Sequence, residues 1–572
     1  MSIEQSIKSR QAALQLGKRT LREIVVKTIE NGNDRSALGF IDGEQISYAQ
    51  FGQKIRRIHL WLDKLGVEKG DRIAILGENM PNWGLIYFAV TSMGAVAVPI
   101  LPDFHSNEIM HIVKHSEARI LFASDRLFAK VELGNNGILR HVFSLDCFEL
   151  LWTAESDSIT QKIREEGNRR WHNFKQAALQ WAGMEDRVDE DDLACIIYTS
   201  GTTGHSKGVM LSHSNIVSDA LSTLTIVDVT PEDRFLSILP LSHTYECTLG
   251  LVTPLMCGAS VSYLDRPPTP SILLPALKKV RPTIMLSVPL IMEKIFKTRI
   301  YPKLTGKKLM KKAYQVPFIR KKLHKAAGSK LMDTFGGQVR AFCIGGASMA
   351  PEVERFMYEA GFPYAIGYGL TETSPLIAGT GPDETRLRST GKALAGTRIR
   401  IDADDKNHGE GEIQVKGPTV MKGYYKDPER TNEVFTDDGW LRTGDLGVFD
   451  KDDYLYIKGR SKNVIIGPSG ENIYPEEIES VVNNQDFVLE SLVFEKEGKL
   501  VARIHLDYEA VDEACDGKPQ AEIMEDIQRI MQNIKREVNG QVSRFSRLSE
   551  VIEQTEPFEK TPTQKIKRYL YV

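Results

Sequence analysis

The chain has 572 residues, enough for several domains with sizeable cores. Hydrophobic residues make up 41% and charged residues 26%, which excludes a wholly disordered, collagen-like or coiled-coil chain. Lys and Arg number 73 against 76 Asp and Glu, a net charge of −3, so the overall balance does not favour nucleic acid as a partner.

The six cysteines, Cys147, Cys195, Cys247, Cys257, Cys343 and Cys515, form no C-x-x-C pair. They are too sparse for a disulfide framework or a cysteine zinc site, and free thiols fit a reducing compartment. No apolar stretch follows the N-terminal Met-Ser-Ile-Glu-Gln, so a cytoplasmic chain without a signal peptide is expected.

In chain order, Phe40–Ser47 with Asp42-Gly43 predicts a hairpin. Ser47-x-x-Gln50 predicts a capping box, opening a helix with apolar Phe51, Ile55, Ile58, Leu62 and Leu65 and stopped by Gly66. The charge-free run from Asn79 to Pro102 is long enough for a membrane span, but it contains Asn82, Gly94, Pro99 and Pro102. It reads instead as a buried helix near Trp83–Met93 and a core strand, Val96–Ile100. Strand-like runs at Arg72–Leu76, Val96–Ile100 and Arg119–Phe122 are separated by helical stretches. The rhythm resumes at Phe235–Leu239, Ser260–Leu264, Thr283–Leu286 and Val339–Ile344. This predicts an α/β protein with two doubly wound parallel layers. From Thr397 to Tyr456, short alternating runs such as Arg398–Ile401 and Glu412–Lys416 predict a small antiparallel β subdomain. A boundary is expected at Lys458–Lys462, followed by an α+β segment large enough to be a domain. Asp402-Ala403-Asp404-Asp405-Lys406-Asn407 has the look of a calcium loop, but Lys406 stands where an oxygen ligand is needed. A hairpin turn is expected there, and no histidine spacing predicts a transition-metal site.

The densest chemical signal is Tyr198-Thr199-Ser200-Gly201-Thr202-Thr203-Gly204-His205-Ser206-Lys207-Gly208, placed after the apolar run Leu193–Ile197. Glycines let backbone N–H groups approach an anion, and the hydroxyls and lysine add donors, so the loop reads as a polyphosphate cradle. It is not the G-x-x-x-x-G-K-[ST] loop, because Lys207 is followed by Gly208. Further motifs follow in order: Gly345-Gly346-Ala347, Gly367-Tyr368-Gly369-Leu370-Thr371-Glu372-Thr373, Gly439-Trp440-Leu441-Arg442-Thr443-Gly444-Asp445, Lys458-Gly459-Arg460-Ser461-Lys462 and Thr561-Pro562-Thr563-Gln564-Lys565-Ile566-Lys567.

Together these motifs resemble those of the adenylate-forming superfamily, which includes acyl-CoA synthetases, luciferases and peptide-synthetase adenylation domains. The resemblance covers nearly the whole chain and is nearest to long-chain fatty acyl-CoA synthetases. It implies an N-terminal adenylation domain, 1–459, and a mobile C-terminal domain, 460–572, hinged near Lys462. It implies ATP and Mg²⁺, with Thr199, Ser200, Gly201, Thr202, Thr203, Gly204 and Lys207 toward the phosphates. Gly346, Ala347, Tyr368, Gly369, Thr371, Asp445 and Arg460 complete the implied ATP site. Glu372 would hold the metal, as a hard oxygen ligand suits Mg²⁺. Gly369 permits close approach of a base stacked on Tyr368, and Asp445 can accept two ribose hydrogen bonds. Lys565 is implied to be the catalytic lysine, with Lys207, Thr371 and Glu372 beside it. Gln564 departs from the glycine common there.

Leu239-Pro240-Leu241-Ser242-His243 resembles the acyl-pocket segment, so His243, Gly345 and Gly346 are acyl-site candidates. Gly470, in Gly467–Pro475, would let the thiol arm of coenzyme A pass. The implied reaction converts a fatty acid to acyl-AMP and then to its coenzyme A thioester. Transfer to an acyl carrier protein is the alternative acceptor chemistry, and a non-catalytic scaffold or an oxidative luciferase the alternatives of other classes.

From Lys294 to Met332 there is no acidic residue, while basic residues interleave with Ile300, Leu304, Leu309, Val316, Phe318, Ile319 and Leu323. This stretch fits an anionic membrane surface, which would place the protein peripherally, or an acidic carrier protein, or a solvated basic face. Its few aromatics do not support nucleic acid.

Overall fold

The computed structural model describes residues 3–30, 34–133, 138–154, 188–199, 206–403, 409–466, 472–515, 520–561 and 565–572. The first long helix, Tyr48–Lys64, opens with the Ser47–Gln50 capping box and buries Phe51, Ile55, Ile58 and Leu62 on one face. Gly66 follows in the left-handed region at φ 71°. The charge-free run forms the Pro81–Ser92 helix, buried on all sides, and then the fully buried strand Val96–Ile100. Gly94 makes the turn between them at φ 87°. A Cβ on Gly84 would meet Leu38 and Leu251. That helix packs on strands of two different sheets, so its uniform apolarity serves a central layer. Among the described residues no helix is long and apolar enough to cross a membrane.

One sheet has eight strands, with a parallel centre of Leu193–Thr199, Val96–Ile100, Arg72–Leu76, Ile120–Ala123 and His141–Ser144. Lys207–Ser212 and Gly423–Tyr424 extend it antiparallel at one edge, and Leu150–Thr153 at the other. The second sheet has seven strands, in the order Tyr364–Ile366, Ala341–Ile344, Ile284–Ser287, Arg234–Ser237, Ser260–Tyr263, Ser36–Phe40 and Gln45–Ser47. Its first six are parallel, and the Ser36–Ser47 hairpin closes the edge. The expected α/β layers are thus present. The hairpin, however, belongs with strands more than two hundred residues later rather than with its chain neighbours, because Leu38 pairs with Val261.

The small antiparallel sheet consists of Arg398–Asp402, Gly411–Lys416, Leu441–Phe449 and Leu455–Arg460, around Ile413, Val415 and Leu455. Asp402 pairs with Glu412, so the first two strands form the expected hairpin; its tip at 404–408 lies outside the described residues. Beyond Arg460, Val488–Lys496, Lys499–Leu506 and Glu550–Glu553 form a three-stranded sheet backed by the Pro475–Val482 and Gln520–Gln541 helices. Their core, around Ile478, Val493, Ile504 and Ile534, is separate. Polar contacts tie this part to the rest, among them Tyr474 donating to Glu410 at 3.0 Å and Lys297 Nζ donating to the Asn483 carbonyl.

Candidate active site

The Leu193–Thr199 and Lys207–Ser212 strands pair antiparallel, with Thr199 opposite Lys207, so the two ends of the hydroxyl-rich loop are held side by side. Ser200, Gly201, Thr202, Thr203 and Gly204 lie outside the described residues. Thr199 Oγ1 is buried with no hydrogen-bond partner among the described residues.

Lys207 Nζ lies 3.0 Å from Glu372 Oε1 and donates to the Tyr424 hydroxyl at 2.6 Å. Tyr424 donates in turn to the same Glu372 oxygen at 2.9 Å. The Lys207 ammonium also sits 4.2 Å from the centre of the Tyr424 ring. Burial opposes the charge of Glu372, and Lys207 outweighs it, holding the carboxyl below its usual range. Glu372 stands in the short 3₁₀ turn Thr371–Thr373, so Thr371 adjoins this group. Tyr424 was not anticipated. It comes from an edge strand of two residues that pairs with Val209, and its signal in the sequence is only a tyrosine near two glycines.

Asp445 and Arg460 are register partners in the small sheet, and Arg460 Nε is 3.0 Å from Asp445 Oδ1. The Tyr368 hydroxyl donates to Asp445 Oδ2 at 2.8 Å. Burial raises the Asp445 pKa, with Arg460 working against it. Gly369 is explained from within the chain: a Cβ there would overlap the Pro375 carbonyl oxygen. Internal packing alone therefore requires glycine at 369.

Lys565 arrives from the far C-terminal part. The residue keeps exposed surface, yet loss of hydration and then the Arg460 cation lower its pKa, while Asp445 and Glu372 act in the opposite sense. His243 is the next neighbour. Burial, and then Lys565, push its imidazole down to about 4, so it is neutral near pH 7, and its Nδ1 accepts the Tyr245 N–H at 3.3 Å.

Gly345, Gly346 and Ala347 follow the Ala341–Ile344 strand. Gly346 has φ 89°, and a Cβ on Gly345 would press on the Tyr245 ring at 3.3 Å. Tyr245 is anchored by donating to the Cys343 carbonyl at 3.0 Å. Behind it lies a small cavity of about 40 Å³, with a mostly apolar lining that includes Ile226, Leu249, Leu286, Ile366 and Leu376. Lys462 is exposed in the 3₁₀ turn Ser461–Asn463, directly after Arg460. Gly470 lies outside the described residues.

The structure thus gathers Lys207, Glu372, Tyr368, Asp445, Arg460, His243 and Lys565 from distant parts of the chain around one polar centre beside an apolar cavity. A family model described as AMP-binding enzyme matches residues 26–425. The chain belongs to the AMP-binding enzyme family. Relatives within it include a long-chain-fatty-acid–CoA ligase of Mycobacterium bovis, 30% identical over 79% of this chain and 76% of that protein. Long-chain-fatty-acid–CoA ligase 5 of Rattus norvegicus is 28% identical over 96% of this chain and 86% of its own length. Among solved structures, ATP-bound MatB from Rhodopseudomonas palustris superposes with a TM-score of 0.73 at 25% identity, covering 97% and 98% of the two chains. The o-succinylbenzoate CoA synthetase of Bacillus subtilis, solved with its acyl-adenylate, shares the fold at a TM-score of 0.71 and 22% identity, over 96% of this chain and 97% of its own. The large α/β body with a smaller C-terminal part is therefore the AMP-binding enzyme architecture.

Proposed function

We propose that this chain is an acid–thiol ligase acting on a long-chain fatty acid, ATP and coenzyme A. The observation that carries the reading is the joined polar cluster of Lys207, Glu372, Tyr368, Asp445 and Arg460, with Lys565 within electrostatic reach of Asp445, Arg460 and Glu372. In the first step the carboxylate oxygen attacks the α-phosphorus of ATP, and the bond to pyrophosphate breaks. Lys565 bridges the two anions, and its charge gains value as negative charge is shared between them in the transition state. Thr199, Lys207 and the loop 200–204 hold the phosphates, Asp445 the ribose hydroxyls, and Arg460 the ribose or phosphate oxygens. Tyr368, Gly369, Thr371, Gly346 and Ala347 line the nucleotide.

Among the described residues no cluster of three acidic, His or Cys groups could hold a metal alone. Glu372 fits a Mg²⁺ that completes its shell with phosphate oxygens. Such an ion offsets phosphate charge. Neutral His243 presents no second cation at the carboxylate site and can turn a ring nitrogen toward the acid.

In the second step the coenzyme A sulfur attacks the acyl carbon, the bond to AMP breaks, and the thiol proton passes to solvent. For this the C-terminal domain, 460–572, rotates against 1–459 about Lys462, bringing the Gly470 loop to the site. The long-chain assignment rests on the relatives' names.

AMP release across saturated acids from acetate to stearate, with and without coenzyme A and with products identified by mass, tests this. Acyl-CoA forming best with long chains and only with the thiol supports the ligase. Acyl-AMP accumulating regardless of coenzyme A moves the acceptor to a carrier protein. No ATP turnover with any acid refutes the reading.

A further inference from the structure

The acid-free stretch 294–332 folds into short helices ending in Lys308–Tyr314 and Pro317–Thr334. At the turn between the last two, Val316, Pro317, Phe318 and Ile319 are consecutive and all exposed, with Leu309 nearby on the preceding helix. Leu309 is 80% exposed, Phe318 67%, Val316 47% and Ile319 38%. A run of four apolar residues left in water on a well-packed chain marks a contact surface.

The turn is held rigidly from beneath. Arg320 makes two hydrogen bonds to Glu359, at 3.0 and 2.8 Å. Buried His324 sits 2.8 Å from the same carboxylate and 2.8 Å from the Tyr314 hydroxyl, which joins the two helices. On the opposite side of the Pro317–Thr334 helix, Lys321, Lys322, Lys325 and Lys330 are exposed. Lys322 Nζ lies 4.4 Å from the centre of the Phe318 ring, so cation and apolar wedge form one surface.

We infer that this turn is a membrane-contact element: Leu309, Val316, Phe318 and Ile319 enter the headgroup–acyl boundary of an anionic bilayer while the lysines meet lipid phosphates. Side chains that stand proud of the surface suit a deformable lipid phase, whereas a folded protein would need a pocket for each. The lysines supply the complementary charge. The element rests on the bilayer and does not cross it.

Flotation of the full-length protein with vesicles of phosphatidylcholine alone, or mixed with phosphatidylserine, tests this without ATP or acid, so the result stands apart from the proposed reaction. Wild type is expected to bind the phosphatidylserine vesicles at least about tenfold better than neutral ones. The triple change Lys321→Glu, Lys322→Glu, Lys325→Glu is expected to reduce binding to the neutral level. The pair Val316→Ser, Phe318→Ser is expected to bind at low salt and detach when salt is raised. Unchanged thermal unfolding shows that the variants are folded. No binding by wild type, or equal binding by wild type and both variants, overturns the inference. Lysine-dependent capture of an acidic carrier protein without vesicle binding overturns it too and gives the surface to a protein.

Discussion

Lys207 Nζ and Glu372 Oε1 lie 3.0 Å apart although 165 residues separate them in the chain, and the Tyr424 hydroxyl contacts both. The three form a closed hydrogen-bonded triangle from the second strand of the eight-stranded sheet, a 3₁₀ turn and the two-residue strand at that sheet's edge. Such a triangle fixes the lysine and the carboxylate before any phosphate arrives, so binding need not order them.

Glu372→Gln keeps the shape and removes the charge. Acyl-adenylate formation is expected to fall on the order of 10²-fold, the size seen when one electrostatic partner of a transition state is removed. The Mg²⁺ concentration for half-maximal rate should rise as well. A rate loss without any change in Mg²⁺ dependence would leave Glu372 as a partner for Lys207 alone. Tyr424→Phe removes two hydrogen bonds and is expected to cost about 1 kcal/mol in thermal or denaturant unfolding, with a smaller effect on rate.

Glu246 gives a prediction about pH. Its side chain is buried, burial raises its pKa to about 8, and its oxygen accepts from Ser237 Oγ at 2.5 Å. The folded protein therefore keeps this proton across a range where the unfolded chain, near the ordinary glutamate value, has lost it. Its stabilising contribution is fully present below the ordinary value and is lost as pH rises toward 8, at most about 1.4 kcal/mol per pH unit. Denaturant unfolding between pH 5 and 8 should show wild type losing stability more steeply than Glu246→Gln. Parallel slopes would mean that Glu246 is ionised in the folded state.

Gly369→Ala distinguishes packing from ligand approach. The new methyl would overlap the Pro375 carbonyl oxygen, so the turn carrying Thr371 and Glu372 must shift. A stability loss of about 1–3 kcal/mol is expected, with adenylation impaired alongside it. Full stability with only a raised KM for ATP would return the glycine to a role in nucleotide access.

Much of this architecture could be read from local pattern. Ser47 and Gln50 cap a helix because their spacing is a local hydrogen-bond geometry, and Arg72–Leu76 and Val96–Ile100 are apolar runs of strand length bounded by turns. The pairing of Leu38 with Val261 left no comparable trace, since a parallel register between distant strands has no short-range signature. The resemblance to adenylate-forming motifs pointed to Lys207, Glu372, Asp445 and Lys565 as site candidates, each set in a glycine- or hydroxyl-rich stretch. Tyr424 has no such setting, and its hydroxyl matters only because the Gly423–Tyr424 strand docks beside Lys207. The exposure of Val316–Ile319 was equally hidden: the sequence shows apolar residues among lysines, and only packing decides which of them remain in water.

Lys565 permits the sharpest separation of the two half-reactions. Its ammonium is placed among Arg460, Asp445 and Glu372, and the neighbouring cation helps to lower its pKa. A lysine that bridges carboxylate and α-phosphate serves the first step, when two anions must meet. It has no partner in the second, when a thiol attacks an acyl group already formed. Lys565→Ala should therefore slow acyl-adenylate formation from acid and ATP on the order of 10²-fold or more. Thioester formation from supplied acyl-AMP and coenzyme A should stay within a few-fold of wild type. Lys565→Arg keeps the charge but changes its reach and shape, and it should recover only part of the lost rate. Measuring both steps by mass on the same preparation decides the matter, because equal losses in both would mean that Lys565 holds the C-terminal part in place instead of meeting the reacting atoms.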